Sequence, residues 1–192
     1  MHRASPKPPT HAARILAAAD KLFYEQGIRA VGVDTIAAEA GVSKRTLYNY
    51  YATKDDLIAA YLTGRFKQIT PSDAPAREQI LAYFDRIAAM VADGSFRGCP
   101  YVNAVTEIGD RRHAAVALAV QFKEQRRQWY KALLERLQVR DPDTLATQLQ
   151  VLVEGVLATA LVRGDTGAAR AARAAAEVLL DAAGVRNKRR KR

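Results

Sequence analysis

The twenty residues from 32 to 51, which read GVDTIAAEAGVSKRTLYNYY, constrain the fold of this chain more than any other segment. Gly41 stands where a first helix must end and the chain must turn through a left-handed conformation, which glycine adopts without steric cost. Four residues earlier, Ala37 is small enough for a second helix to cross closely. Ser43 is a good N-cap for that second helix. The spacing therefore predicts two short helices joined by a tight turn, which is typical of a helix-turn-helix.

The predicted second helix carries polar side chains that can read DNA. Arg45 can donate paired hydrogen bonds to guanine, Asn49 can pair with adenine, and Lys44 can contact a base or a phosphate. A solvated helix face is the alternative interpretation of the two cations, but the surrounding motif favours contact with the major groove of double-stranded DNA. The residues predicted to bind DNA are Thr35, Ser43, Lys44, Arg45, Thr46, Tyr48, Asn49, Tyr50 and Lys54.

Composition and charge are consistent with a helical protein that has a polyanionic partner. Of the 192 residues, 49% are hydrophobic, which is sufficient for a packed core. Alanine is abundant and strand-type alternation is scarce, so an all-α fold is expected. The net charge is +10, and subtracting the six positive charges of a basic tail, residues 186–192, leaves +4 on the rest of the chain. That tail either attracts DNA non-specifically or is a disordered solubilising end.

Other functional classes find little support in the sequence. A single cysteine, Cys99, excludes an internal disulfide and fits a reducing compartment; it is either a redox switch or a small residue in a loop. The three histidines are too scattered to predict a metal site, and no catalytic set is recognisable, so we expect neither an enzyme nor a cofactor. No apolar run approaches the roughly 18 residues of a membrane span, so no membrane partner is expected.

The pattern of prolines and apolar residues suggests how the chain is organised. Residues 1–9 read as a disordered arm, residues 10–69 as a domain that contains the helix-turn-helix, and residues 70–185 as a second helical domain. Asp73 is the candidate cap of the helix that opens the second domain. Residues 145–162 are apolar over more than half of a helix circumference, which predicts burial on two sides, one of them against a partner subunit.

Five linked segments carry a resemblance to a known family. They are Phe23-Tyr24-Glu25-Gln26-Gly27, Ile36-Ala37, Gly41-Val42-Ser43, Thr46-Leu47-Tyr48 and Lys54-Asp55-Asp56-Leu57. With these segments, residues 9 to 69 resemble the TetR family of bacterial transcriptional regulators. The remainder matches that family only in plan, as a helical regulatory domain. Val31, Gly32, Asp34 and the pair Tyr50-Tyr51 depart from its usual pattern, and Asp34 stands where some members have a basic residue that reads bases.

The resemblance implies an architecture and a mechanism. We expect an N-terminal three-helix helix-turn-helix domain, joined by a fourth helix to a larger helical ligand-binding and dimerisation domain, with about nine helices in all. The implied function is that of a cytoplasmic homodimeric regulator, associated with the nucleoid when DNA-bound. Such a regulator is most simply a repressor that a small molecule releases from a palindromic operator. The alternatives are a ligand-free protein-interaction module of the same fold bound to DNA and, third, an enzyme.

Two further sets of residues are predicted for the second domain. A small apolar or aromatic effector is expected to contact Phe84, Asn103, Glu107, Phe122, Gln125 and Trp129. Each of these side chains has a plain alternative role, exposed or at an interface. The predicted dimer interface contains Leu152, Gly155, Val156, Thr159 and Leu179, and Gly155 would let another helix backbone approach closely.

Overall fold

A computed structural model of the protein describes residues 9–66, 69 and 72–185, and in these ranges the chain forms nine α-helices and no strand. Their bounds are α1 His11–Gln26, α2 Val33–Glu39, α3 Lys44–Tyr50, α4 Lys54–Arg65, α5 Ala76–Ala92, α6 Pro100–Ile108, α7 Ala114–Arg136, α8 Pro142–Arg163 and α9 Gly167–Ala182. The all-helical class predicted from composition is confirmed. The predicted arm and basic tail, residues 1–9 and 186–192, lie outside the described residues except for Pro9.

Side-chain caps begin four of the helices. Thr10 accepts a hydrogen bond from the third residue beyond it, and Ser43 and Asp141 do the same at the starts of α3 and α8. Thr53 forms a reciprocal capping box with Asp56 at the start of α4. Such caps satisfy N–H groups that have no partner within the helix. These four helix starts follow from short-range sequence chemistry and were predictable.

The start of α5 differs from the prediction. The N-cap is Pro75, which makes no side-chain hydrogen bond to the helix, and the first helical residue is Ala76. Asp73, the predicted cap, lies two residues before the N-cap position and is too early to bond the first free N–H groups. The prediction for Asp73 was therefore wrong.

The described residues divide into two compact units, and the first contains more than the predicted N-terminal domain. It comprises the described residues of Met1–Lys67 together with Pro100–Ala119, and therefore includes α6 and the first turns of α7. Within it α1 packs against α2, α3 and α4. The buried hydroxyl of Tyr101 on α6 donates a hydrogen bond to the carbonyl oxygen of Leu62 at 3.0 Å. The predicted boundary at residues 69 and 70 placed Pro100–Ala119 in the second domain, whereas by packing this segment belongs to the first unit.

The second unit comprises the described residues of Gln68–Cys99 and of Val120–Arg192. In it, α5, α8 and α9 pack against one another in pairs. The side of α8 that faces this core is lined by Leu145, Ala146, Leu149, Val153, Val156, Leu157 and Ala160. The part of α7 that belongs to this unit contacts the other helices through long side chains. Lys123 is bound to Glu154 of α8, and Trp129 lies against Tyr83 of α5.

Helix α8 is long and apolar enough, by length and composition alone, to cross a membrane. The buried helix of a folded core passes the same test, so this is weak evidence for a span. Seven residues of α8 are buried within the second unit, and the helix also carries Glu154, which is ion-paired with Lys123. Packing within the protein therefore accounts for much of its apolar character.

Candidate nucleic-acid interface

The turn between α2 and α3 is held from both sides. Ser43 Oγ accepts a hydrogen bond from the backbone N–H of Thr46 at 3.0 Å and also lies 2.8 Å from the Thr46 hydroxyl oxygen. From α1, Arg14 Nη2 donates to the carbonyl oxygens of Ala40 at 2.5 Å and of Gly41 at 2.9 Å. Gly41 has φ +62°, in the left-handed region predicted for it. These contacts fix the direction in which α3 leaves the turn.

Helix α3 presents its polar residues to solvent. Leu47 is fully buried beneath the helix, whereas Arg45, Tyr48 and Asn49 are exposed on the opposite side. Within the part of the chain that the structure describes, no group hydrogen-bonds to the Arg45 guanidinium. Its five donors are therefore available to an external acceptor. The predicted base-reading residues share one outward face.

Lys44 is held by a carboxylate of the protein itself. Its Nζ atom donates to Asp34 Oδ2 at 3.0 Å, and both side chains are exposed. The hydrogen bond to Asp34, reinforced by charge attraction, raises the pKa of Lys44 above its ordinary value. The cation stays protonated, but Asp34 partly offsets the field that Lys44 offers to a phosphate. The sequence had indicated that Asp34 departs from the family pattern, but not that it pairs with Lys44.

Lys54 is also engaged within the protein. Its Nζ atom donates to the carbonyl oxygen of Ile28 at 2.6 Å and lies 5.9 Å from the centre of the Phe23 ring. Burial lowers the pKa of this half-buried side chain. An ammonium group has three donors, so the bond to Ile28 leaves two for a phosphate. The phosphate contact of Lys54 stays a prediction, and Lys54 also fixes the loop that precedes α2.

The other residues predicted to bind DNA lie around the same surface. Thr35 on α2 and Tyr50 at the end of α3 are exposed, and Thr46 is half-buried. The Tyr50 ring meets His11 edge-on with 6.4 Å between ring centres. The predicted set therefore converges on α2, α3 and the start of α4. The sequence did not predict the role of Arg14. A single cation on a preceding helix forms no pattern that would indicate a contact with a carbonyl group 26 residues later in the chain.

The six residues predicted for the effector site are divided between the two units. Phe84, Phe122, Gln125 and Trp129 belong to the second unit, whereas Asn103 and Glu107 lie on α6 in the first unit. Glu107 Oε2 accepts a hydrogen bond from the backbone N–H of Arg29 at 2.9 Å. This carboxylate ties α6 to the loop after α1, which gives it a structural role in the first unit.

Three polar residues that the sequence did not predict lie near Phe122 and Trp129 of the predicted effector site. Tyr83 on α5 contacts the rings of Trp129 and Tyr130, with ring centres 5.5 and 5.8 Å away. The guanidinium of Arg126 lies 5.4 Å from the centre of the Tyr83 ring and 5.0 Å from that of Phe122. The sequence could have indicated Arg126 and Tyr130, because helical spacing places them on the same face of the helix as Phe122.

Lys123 and Glu154 form a second polar group in the same unit. Lys123 Nζ lies 2.6 Å from both carboxylate oxygens of Glu154 and 3.4 Å from Cys99 Sγ. Gln150 also donates to Glu154, at 2.7 Å. The carboxylate of Glu154 is thus neutralised by a neighbour, and Cys99 is buried beside that ion pair.

The predicted dimer residues differ in accessibility. Gly155 is exposed, and a Cβ atom added there would meet no atom of the chain within 4 Å. Leu152, Thr159 and Leu179 are half-buried. Val156 is 1% exposed in the single chain because it packs in the protein's own core. Val156 is therefore unavailable for contact with a partner, and its inclusion was wrong.

Comparison with known proteins finds relatives of this chain. Residues 15–61 match the sequence profile of bacterial regulatory proteins of the tetR family. The regulator YjdC of Escherichia coli is 26% identical over 156 residues, 77% of this chain and 82% of YjdC. The repressor Rv3405c of Mycobacterium tuberculosis is 31% identical over 132 residues, 58% of this chain and 70% of Rv3405c. The crystal structure of the TetR-type regulator SAV143 from Streptomyces avermitilis is similar with a TM-score of 0.82 and 33% identity, covering 93% of this chain and all of SAV143.

An all-helical fold with a helix-turn-helix whose α3 faces outward is that of a transcription regulator that binds DNA. The relatives bear the names of such regulators and not of enzymes. The chain belongs to the TetR family of bacterial transcriptional regulators. Regulators of this family bind DNA and form dimers, which agrees with the partners expected from the sequence.

Proposed function

We propose that the protein is a sequence-specific repressor that binds a palindromic operator as a homodimer and is released by a small-molecule effector. It would act in the bacterial cytoplasm, associated with the nucleoid when bound to DNA. The observation that carries the proposal is the exposed Arg45 on α3, whose guanidinium donates no hydrogen bond to the described residues and lies on a helix fixed by Arg14 and Ser43. A rigid, outward-facing arginine is suited to read guanine in the major groove.

The neighbouring side chains supply the rest of the contact surface. Tyr48 and Asn49 share the exposed face of Arg45 and would contact bases or a thymine methyl group. Thr35, Thr46, Tyr50 and Lys54 are suited to the phosphates on either side, which position the helix without reading sequence. Ser43 would contribute mainly as the cap that orients α3, since its hydroxyl already binds Thr46.

A stripe on α8 supports the dimer. Val151, Gly155, Ala158 and Val162 are exposed at intervals of three and four residues, which places them on one helix face. Val178 is exposed on α9, which packs against α8. An exposed apolar stripe along a helix is costly to leave in water. Pairing this face with its symmetry mate would give a two-fold dimer, and a palindromic operator follows from that symmetry.

The name of a relative and the side chains along α7 support the repressor output and the effector. The relative Rv3405c is named a repressor. Aromatic and polar side chains collect along α7 in the second unit, which is the kind of lining that binds small organic molecules. We therefore propose that the effector site includes Phe122, Gln125 and Trp129, as expected from the sequence.

The operator can be tested by selecting DNA with the purified full-length protein from a random duplex library. We expect an inverted repeat with half-sites about one helical turn apart. Arg45→Ala should relax the preference at one base of each half-site and cost about 1–3 kcal/mol on the matched sequence. Arg111→Ala, which removes an exposed cation elsewhere in the first unit, is the matched control and should keep the preference.

Two outcomes would contradict parts of this proposal. If Arg45→Ala weakens binding to selected and unselected DNA equally, Arg45 contacts phosphate and does not read a base. If a broad set of small molecules neither stabilises the protein nor releases it from the selected DNA, the effector is excluded. The DNA-bound protein-interaction module is then the better description.

A further inference from the structure

One face of α7 gathers aromatic and polar side chains over a short distance. Phe122, Gln125, Arg126, Trp129 and Tyr130 fall within an arc of about 140°, given 100° of rotation per residue in an α-helix. They extend over about 12 Å along the helix axis, at 1.5 Å per residue. A single-ring organic molecule with one substituent at each end is shorter than this stretch and fits within it.

These side chains differ in how deeply they are buried. Tyr130 is 0% exposed and Arg126 is 9% exposed, whereas Phe122, Gln125 and Trp129 are half-buried. Tyr83 from α5 is also half-buried and contacts the rings of both Trp129 and Tyr130. Partly exposed rings therefore lie beside more deeply buried polar groups. This arrangement suits a ligand with an apolar body and a polar end.

Two buried polar atoms in this group have no hydrogen-bond partner among the described residues. They are the hydroxyl oxygen of Tyr130 and the side-chain oxygen Oε1 of Gln125. Buried polar atoms are nearly always hydrogen-bonded, so an unpaired one needs an explanation such as an external ligand. Burial raises the pKa of Tyr130 well above its ordinary value, so the hydroxyl keeps its proton and can donate it. Gln125 Oε1 can only accept.

Arg126 adds a positive charge to the same place. Its guanidinium lies against the rings of Tyr83 and Phe122, where water has little access. An arginine guanidinium has five N–H donors and can bind a carboxylate through two of them, in addition to a partner within the protein.

We propose that this face of α7 binds a small aromatic carboxylic acid whose carboxylate accepts hydrogen bonds from Tyr130 and Arg126. A hydroxyl or amino group on the ring would donate to Gln125 Oε1, and the ring would pack against Trp129 and Tyr83. This inference rests on the proposed effector-released repressor and names the chemical class of its effector. It also selects Tyr130 and Arg126 as specificity residues that the sequence analysis did not identify.

The binding test uses the fluorescence of Trp129, which is the single tryptophan of the chain. The probes are benzoate, 4-hydroxybenzoate and 4-aminobenzoate, with the uncharged methyl ester of 4-hydroxybenzoate as the comparison. We expect saturable quenching by the acids and at least about tenfold weaker binding of the ester, since the ester lacks the charge that meets Arg126. Equal affinity of ester and acid, or no response to any acid, would overturn the proposal.

Two variants test the named contacts. Tyr130→Phe removes a hydroxyl that binds nothing among the described residues, so the variant should fold and should bind all the acids about tenfold more weakly. Tyr101→Phe is the matched control, because it removes a buried hydroxyl in the first unit and should leave acid affinity unchanged. Gln125→Met should abolish the advantage of 4-hydroxybenzoate over benzoate. Unchanged acid affinity in Tyr130→Phe would refute the carboxylate contact.

Acid binding and release of the selected DNA, measured on the same samples, distinguish this inference from the proposed function. If the acids fail to bind while another class of compound releases the selected DNA, the ligand class is wrong and the effector-released repressor stands. If the acids bind through Tyr130 but leave DNA binding unchanged, the site is correct and release by this ligand is refuted.

Discussion

The ammonium nitrogen of Lys44 at the start of α3 lies 3.0 Å from Oδ2 of Asp34 at the start of α2. This pair joins the two helices of the helix-turn-helix on the surface that would face DNA. It restrains the lysine but also places a carboxylate where a phosphate would approach. Since exposed ion pairs contribute only about 0.2–1 kcal/mol, DNA can compete for Lys44.

Replacing Asp34 with asparagine should strengthen DNA binding. Asp34→Asn removes a negative charge near the phosphates and frees Lys44, so we expect about two- to tenfold higher affinity for selected and unselected DNA alike. The slope of log affinity against log salt should steepen by about one contact. Fluorescence anisotropy at several salt concentrations measures both. Glu135→Gln, the same charge change on α7, is the control; equal gains in both variants would assign the effect to net charge alone.

Gly41 should be sensitive to substitution for two separable reasons. Its φ of +62° strains any residue with a Cβ, and an added Cβ would lie 2.5 Å from Arg14 Nη2. We expect Gly41→Ala to lower the free energy of unfolding by about 2–3 kcal/mol, as the sum of backbone strain and weakened Arg14 hydrogen bonds. Gly109, with φ +74° and no atom within 4 Å of an added Cβ, is the matched control and should lose only the strain, about 1–2 kcal/mol.

A double variant checks that explanation by urea unfolding. Arg14→Ala removes the same hydrogen bonds that Gly41→Ala disturbs, so the losses in Arg14→Ala/Gly41→Ala should add up to less than the two single losses. Strict additivity would show that Arg14 does not limit the space at Gly41.

The exposed stripe on α8 should be sensitive to charge. Val162 is 86% exposed in the single chain, and Val162→Glu would place two carboxylates in the proposed dimer interface. We expect monomers by light scattering and a large loss of affinity for the palindrome, with unchanged helix content. Val120→Glu makes the same change at an exposed valine on α7 and should remain dimeric. A dimeric Val162→Glu protein would place the interface on another surface.

The pair of Glu124 and Arg127 should appear in an acid titration. Hydrogen bonds from Arg127, and then from Gln128, lower the pKa of Glu124 to about 2. A carboxyl group whose pKa is lowered in the folded state stabilises that state at pH values above its ordinary pKa, near 4.5. This stabilisation is lost as the pH falls towards 2. The Glu124 side chain is 49% exposed, so the stabilisation is small and screened by salt.

Carboxyl chemical shifts measured by NMR between pH 6 and about pH 1.5 would follow this group. Arg127→Met should return the pKa of Glu124 towards 4.5 and flatten the loss of stability on acidification. An unchanged midpoint in that variant would show that Arg127 does not hold the proton off Glu124.

The sequence by itself determined the helical class, the helix-turn-helix and most helix starts. Ser43, Thr53 and the left-handed Gly41 act on backbone groups only a few residues away, so their effects can be read from spacing. The exposed position of Arg45 follows from the same helical periodicity once Leu47 is assigned to the core.

The tertiary structure alone decided which distant residues meet. It placed α6 in the first unit, capped the end of α2 with Arg14, paired Lys44 with Asp34 and buried Val156 within its own chain. It also gathered Tyr83 with Arg126 on the proposed effector face. Helical periodicity shows which side of a helix is apolar, but it does not show which other helix covers that side. That choice depends on long-range packing of the whole chain.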